Sequence, residues 1–175
     1  MLKKMKANPK SSRKNVRLKN FDYSSAGYYF VTVVSHQRKN IFGEIDNGKM
    51  ILSQAGVIVE EIWEAIPNHF SHTNIDSYVV MPNHIHGIIF LSEVGARRAA
   101  PGSTKNHTLG VVVGSFKSTV TKRVHEEGMF VNERVWQRNY YEHVIRDEPD
   151  YYRILDYIEN NPANWLRDEE NVVLH

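Results

Sequence analysis

Aromatic and β-branched residues crowd into Tyr28-Tyr29-Phe30-Val31-Thr32-Val33-Val34, and this run predicts a central strand. It ends in a polar, basic turn, Ser35 to Asn40. Between Ile41 and Leu52, Asp46-Asn47-Gly48 is a tight-turn signal separating two short extended pieces, so a small hairpin is expected. Ser53 can cap a helix in which Val57, Ile58, Ile62, Trp63 and Ile66 recur at helical spacing opposite Glu60 and Glu61, with Pro67 as its stop. Ile75 to Val80 alternates as a strand, Pro82-Asn83 bends, and a β-branched strand follows to Leu91. Thr108 opens a second helix with Val111, Val112, Phe116, Val120 and Val124 on one side, stopped by Glu126-Glu127-Gly128. Val131 to Val135 reads as a short strand able to extend the sheet, leading into the mixed aromatic and polar stretch Trp136 to Val144. A third helix opens at Pro149 and runs to Asn160 or Asn161 before Pro162, with Tyr151, Ile154, Leu155 and Ile158 as its apolar stripe. The order strand, hairpin, helix, strand, strand, helix, strand, helix predicts an antiparallel or mixed sheet with helices on one face, a ferredoxin-like (RRM-like) α+β layer.

The chain has 175 residues, enough for one domain with a real core. It has no cysteine, which excludes disulfides and thiolate metal sites and leaves His, Asp, Glu, Asn, Gln or water as ligands. No apolar run approaches the roughly 20 residues needed to cross a bilayer, and the basic N-terminus lacks the apolar core of a signal peptide, so a cytoplasmic home is expected. Charge is distributed unevenly. Residues 1 to 20 hold eight Lys or Arg and no acid, which leaves 14 basic against 20 acidic residues in the remainder. Asn8-Pro9 and Ser11-Ser12 keep this arm from folding alone. Such an arm suits the phosphates of nucleic acid or of membrane lipid, or is a solvated tail that aids solubility. The composition of Gly95 to His107, which includes Arg97, Arg98 and Lys105, is that of a mobile loop.

Candidate chemistry centres on Met81-Pro82-Asn83-His84-Ile85-His86-Gly87. In a strand, residues two apart share a face, so His84 and His86 project together and can offer two nitrogens to one divalent cation. The same spacing also fits two half-exposed strand histidines. On the third helix, at about 100° per residue, Tyr157 lies roughly 110° from the centre of the apolar stripe, beside Asn161, Arg153 and Asp150. That is a position for something other than core filling, or for a surface tyrosine.

These pieces together resemble the HUH single-tyrosine transposases, and within them the REP-associated tyrosine transposases of bacteria. The resemblance is carried by Asp22-Tyr23-Ser24 with Gly27, Phe42-Gly43-Glu44-Ile45 with Gly48-Lys49-Met50, Val80 to Gly87, Gly114 to Ser118, Val135 to Arg146, and Tyr157-Ile158 with Asn160-Asn161-Pro162. It divides the chain into a basic arm (1–20), a transposase domain (21–166) and a C-terminal tail (167–175). It implies a ferredoxin-like fold with a C-terminal helix carrying the nucleophile Tyr157, with His84 and His86 as metal ligands. Asn161 stands where many relatives carry a glutamine that completes the metal site, and its side chain offers the same carbonyl oxygen.

The implied function is that of a single-stranded DNA transposase and endonuclease. It would cleave and rejoin strands flanked by hairpins of REP-like palindromes through a 5′-phosphotyrosine, conserving the phosphodiester energy. Nitrogen and oxygen ligands with water suit Mg²⁺ or Mn²⁺ as cofactor. DNA contacts are expected from Arg13, Lys14, Arg17 and Lys19 of the arm and from Lys117, Lys122 and Arg123 of the second helix. The protein would act as monomer or homodimer, with the bacterial nucleoid and no membrane as its place. The rival readings are a domesticated binder of palindromic repeat DNA that no longer cuts, and a hydrolase using the same histidines with water as the nucleophile.

Overall fold

The computed structural model describes residues 26–92, 108–168, 170 and 171; the basic arm and the stretch Gly95 to His107, expected to be a mobile loop, lie outside them. The aromatic and β-branched run forms β1 (Gly27–Val34), followed by a single 3₁₀ turn at His36–Arg38. β2 (Gly43–Asp46) and β3 (Lys49–Leu52) make the expected hairpin. Asn47 and Gly48 at its tip both have positive φ, 49° and 74°, the turn whose twist matches the flanking strands. α1 (Gln54–Glu64) is capped by Ser53, whose Oγ accepts from the Gly56 N–H at 3.1 Å. Pro67 does not end α1 but sits in the first turn of a short α2 (Ile66–His69), where its missing N–H costs no hydrogen bond.

β4 (Thr73–Met81) and β5 (His84–Leu91) flank the Pro82-Asn83 bend. α3 (Leu109–Glu126) is capped by Thr108 and closed at Gly128, which has φ 79°. Val131 to Val135 does not extend the sheet. Phe130 and Asn132 take left-handed φ of 50° and 66°, which breaks any ladder, and Val131 is exposed. Only an isolated bridge between Ser35 and Trp136 forms before β6 (Tyr141–Ile145). α4 (Glu148–Asn160) is capped by the Asp147 carboxylate, with Pro149 in its first turn.

The main sheet runs β4-β5-β1-β6 and every neighbouring pair is antiparallel. With α1 and α3 in the two crossovers, this is the ferredoxin-like βαββαβ arrangement, with no parallel pair in the sheet. The helices cover both faces rather than one. α1 and α3 pack Val59, Trp63, Val112, Phe116 and Val120 against Tyr29, Val31, Ile85 and Ile89. α4 packs Ile154 and Ile158 on the opposite side, against Phe30, Ile88 and Ile145. The cause is local: alternate residues of β1 and β5 are apolar on both sides, so both faces need cover. No helix among the described residues is long and apolar enough to cross a membrane.

Gly87, between the strand histidines and Ile88, faces the larger core. A methyl group there would overlap the Trp63 ring and approach Tyr78 Cβ to 3.0 Å. Gly87→Ala is expected to destabilise the protein by about 1–3 kcal/mol through overpacking, read as a lower urea midpoint at unchanged slope. An unchanged midpoint would show that Trp63 has room to move.

Candidate active site

His84 and His86 face the α4 side of the sheet from two rungs of β5, and both are buried. Their Nε2 atoms lie 2.8 Å apart. Each ring is held from behind. Asn83 donates its amide to the carbonyls of Arg38 (3.2 Å) and Glu170 (2.8 Å), so its Oδ1 is free to accept from His84 Nδ1 at 2.8 Å. His84 Nε2 then carries the lone pair. His86 Nδ1 lies 2.8 Å from Thr32 Oγ1 on β1, which can accept its proton in the same way.

α4 crosses this face and brings Tyr157 Oη to 3.1 Å from His86 Nε2 of the same chain. One turn on, Asn161 is buried beside it. Pro162 stops the helix and a 3₁₀ turn, Trp165–Arg167, brings the chain back, with Trp165 packed over His84 at a centroid distance of 6.0 Å. This return delivers Asp168. Its side chain is 1% exposed; Oδ2 accepts from Asn161 Nδ2 at 2.9 Å, lies 3.4 Å from Tyr157 Oη and 3.9 Å from His86 Nε2. Its Oδ1 accepts from the Glu170 N–H at 2.6 Å.

Burial, and then the neighbouring His86, hold the His84 imidazole well below the ordinary histidine range; burial lowers His86 too, against the pull of Asp168. Both rings are neutral at neutral pH. Burial alone would raise Asp168, but the nearby His86 ring and hydrogen bonds from the Glu170 N–H and Asn161 hold it well below the usual carboxylate range. Burial, and then the Asp168 charge, push the Tyr157 phenol up to about 12, so it keeps its proton at neutral pH.

The donors suit a divalent cation. His84, His86 and Asp168 each offer a ligand atom within 4.8 Å of the others. Two neutral imidazoles bonded at Nδ1 aim their Nε2 lone pairs at one another, an arrangement that a cation between them relieves. The Asn161 Oδ1 atom is buried and accepts no hydrogen bond from any described residue, which leaves a further oxygen directed into the site.

No family model matches the chain. An uncharacterised protein of Haemophilus influenzae is 40% identical over 167 residues, covering 90% of this chain and 92% of that protein. A second protein of that organism, provisionally assigned as a REP-associated tyrosine transposase, is 24% identical over 150 residues, 81% of this chain and 73% of its own length. The structure of a REP-associated tyrosine transposase bound to a REP hairpin superposes with a TM-score of 0.59 at 21% identity, covering 83% of this chain and 72% of that one. The chain is similar in sequence to the one and in fold to the other of these two REP-associated tyrosine transposases. A protein of Deinococcus radiodurans described as a transposase shares the fold, with a TM-score of 0.50 at 15% identity over 82% of this chain and 95% of that one.

In this transposase-like fold, the residues singled out in the sequence separate into two groups. His84, His86, Tyr157 and Asn161 converge on one spot. Lys117, Lys122 and Arg123 lie on α3, which packs on the other face of the sheet. Lys117 Nζ donates to the carbonyls of Gln137 (2.7 Å) and Arg138 (3.1 Å), Lys122 pairs with Glu126 at 3.7 Å, and Arg123 pairs with Glu61 (2.6 Å) and Glu127 (3.3 Å). Arg13, Lys14, Arg17 and Lys19 lie outside the described residues. Three contributors escaped the sequence reading. Asp168 sits in the acidic run Asp168-Glu169-Glu170, which reads as a solvated tail; Asn83 reads as a bend residue and Thr32 as a strand former. Only the position of Asn83 directly before the histidine pair offered a signal.

Proposed function

We propose that the protein is a metal-dependent single-stranded DNA transposase and endonuclease, which cleaves and rejoins hairpin-flanked strands through a 5′-phosphotyrosine on Tyr157. The observation that carries this reading is the phenol of α4 standing 3.1 Å from Nε2 of His86 in the strand pair, half exposed where a DNA strand can reach it. A bound Mg²⁺ or Mn²⁺, held by His84 and His86 with Asp168 and Asn161 as oxygen donors, would polarise a phosphate oxygen and neutralise developing charge. The two imidazoles stay neutral and fixed by Asn83 and Thr32. Tyr157 Oη attacks phosphorus and gives up its proton to water; the bond to the 3′-oxygen breaks, and that oxygen takes a proton from water and departs as a hydroxyl. Attack by the freed hydroxyl of another strand reverses the step and rejoins DNA.

The REP hairpin in the related structure supports a palindromic hairpin as the ligand of this chain. Arg13, Lys14, Arg17 and Lys19 of the arm would neutralise its backbone. Lys122 and Arg123 would be weaker contacts, since acidic partners already offset their charge. Such a protein works on the chromosome, in the bacterial cytoplasm.

The test is to incubate the full chain with labelled single strands containing palindromic hairpins and Mn²⁺, then look for a covalent adduct that survives denaturation. An adduct is expected. Hairpin binding without one would make the protein the non-cleaving binder instead. Thr32→Val keeps the shape but removes the oxygen behind His86, and is expected to weaken Mn²⁺ binding about 10-fold by calorimetry. Unchanged affinity would mean that Thr32 does not set the tautomer.

A further inference from the structure

The stretch from Trp136 to Tyr141 interleaves aromatic and polar residues, and the fold divides its rings between two tasks. Trp136 is buried against Phe42 and Phe116, at centroid distances of 4.9 and 5.7 Å, and Tyr140 packs on the same core. Tyr141 does neither. It opens β6 at the edge of the sheet, opposite Thr32 and on the α4 side, and is 43% exposed. Its hydroxyl has no hydrogen-bond partner among the described residues.

What Tyr141 does touch is the floor of the active site. The buried Phe30 ring is stacked on His86 at 5.4 Å and 25°. It meets Tyr157 edge-on at 6.0 Å and 81°, and Tyr141 edge-on at 6.3 Å and 69°. Phe30 thus carries a half-exposed tyrosine on either side, one of them the nucleophile. The approach to β6 is held by the Lys117 ammonium on the carbonyls of Gln137 and Arg138. Arg138 itself is exposed and makes no ion pair with any described residue, three positions before Tyr141.

We propose that Tyr141 is the stacking shelf for the unpaired base next to the scissile phosphate. This rests on the strand-transfer reading given above. The base lies on the wet face of the Tyr141 ring while its phosphate faces Tyr157 Oη and the imidazole pair. Every base has a π face, so the shelf accepts any of them, and its work is to hold a flexible strand with phosphorus in reach of the phenol. Arg138 is placed to meet a neighbouring phosphate. The ligand is single-stranded DNA beside a hairpin, since a base paired in a duplex has no free face to offer.

The experiment uses the full chain and a hairpin strand whose unpaired, randomised flanks carry 5-iodouracil for thymine, with Mn²⁺, irradiation and mass spectrometry of the crosslinked peptides. Crosslinks are expected at Tyr141. Tyr141→Ala and Tyr141→Leu should weaken flank binding by about 10- to 100-fold, and Tyr141→Phe should restore it, with all three unfolding midpoints at the wild-type value. Leu keeps an apolar contact with Phe30 but offers no ring, which separates stacking from packing. No crosslink at Tyr141, or a Leu variant that binds as the Phe variant does, overturns the shelf. Crosslinks at Tyr141 without any covalent adduct keep the shelf and sink strand transfer; adducts formed at the wild-type rate by Tyr141→Leu do the reverse.

Discussion

Tyr157→Phe will form no covalent adduct with hairpin DNA, while still binding the strand. The substitution removes one oxygen and keeps the ring, which packs edge-on against Phe30 at 6.0 Å and near His86 at 5.1 Å. Fold and DNA surface should therefore survive and only the nucleophile be lost. The expected loss is complete, because the Thr32 hydroxyl is buried behind His86 and engaged with its Nδ1, and attack by water would yield a hydrolysed product with no protein attached. The check is a denaturing gel of labelled strand after incubation with Mn²⁺, beside a binding assay on the same preparation. Strand cleavage that persists in the variant without an adduct would make water the nucleophile and the protein a hydrolase. An adduct that persists would place the bond on another residue, and Tyr157 would lose its role.

His84→Ala and His86→Ala each remove one of two nitrogen donors, and either change is expected to lower Mn²⁺ affinity by about 100-fold and to abolish cleavage. Wild-type protein at a metal concentration about 100 times the dissociation constant should gain about 2.7 kcal/mol, because metal binds the folded site and scarcely the unfolded chain. For a chain of this size that is a rise of roughly 5–10 °C in the thermal midpoint. The variants should show almost none of it. The metal-free comparison is informative as well: two neutral, buried imidazoles with Nε2 atoms 2.8 Å apart gain little from one another, so most of the loss should appear only when metal is present. A wild-type midpoint unmoved by both Mn²⁺ and Mg²⁺ would return the pair to the role of buried strand histidines.

Most of the elements were legible because local patterns decide them. Ser53, Thr108 and Asp147 cap helices through bonds spanning three residues, Asn47-Gly48 makes its turn from two, and the apolar spacing of β1, α1 and α4 names the face each one buries. The same periodicity put His84 with His86, and Tyr157 off the apolar stripe and one turn from Asn161. Val131 to Val135 misled because β-branched composition cannot report the left-handed backbone at Phe130 and Asn132. The helices on both faces could have been anticipated from Phe30 and Ile88, which are apolar on the side away from the larger core.

The sequence by itself determined the elements, the pairing of the histidines and the exposure of the phenol, since each depends on neighbours within about one helical turn or one strand. Tertiary structure alone decided three things: that α4 lies over the histidine strand of its own chain, that Asp168 returns to the site, and that Tyr141 rather than Trp136 is left exposed. Those outcomes rest on contacts between residues such as Tyr157 and His86, 71 positions apart. The enclosure that lowers the imidazoles and raises the phenol is built by the whole sheet and the helix across it, and no short stretch of the chain encodes it.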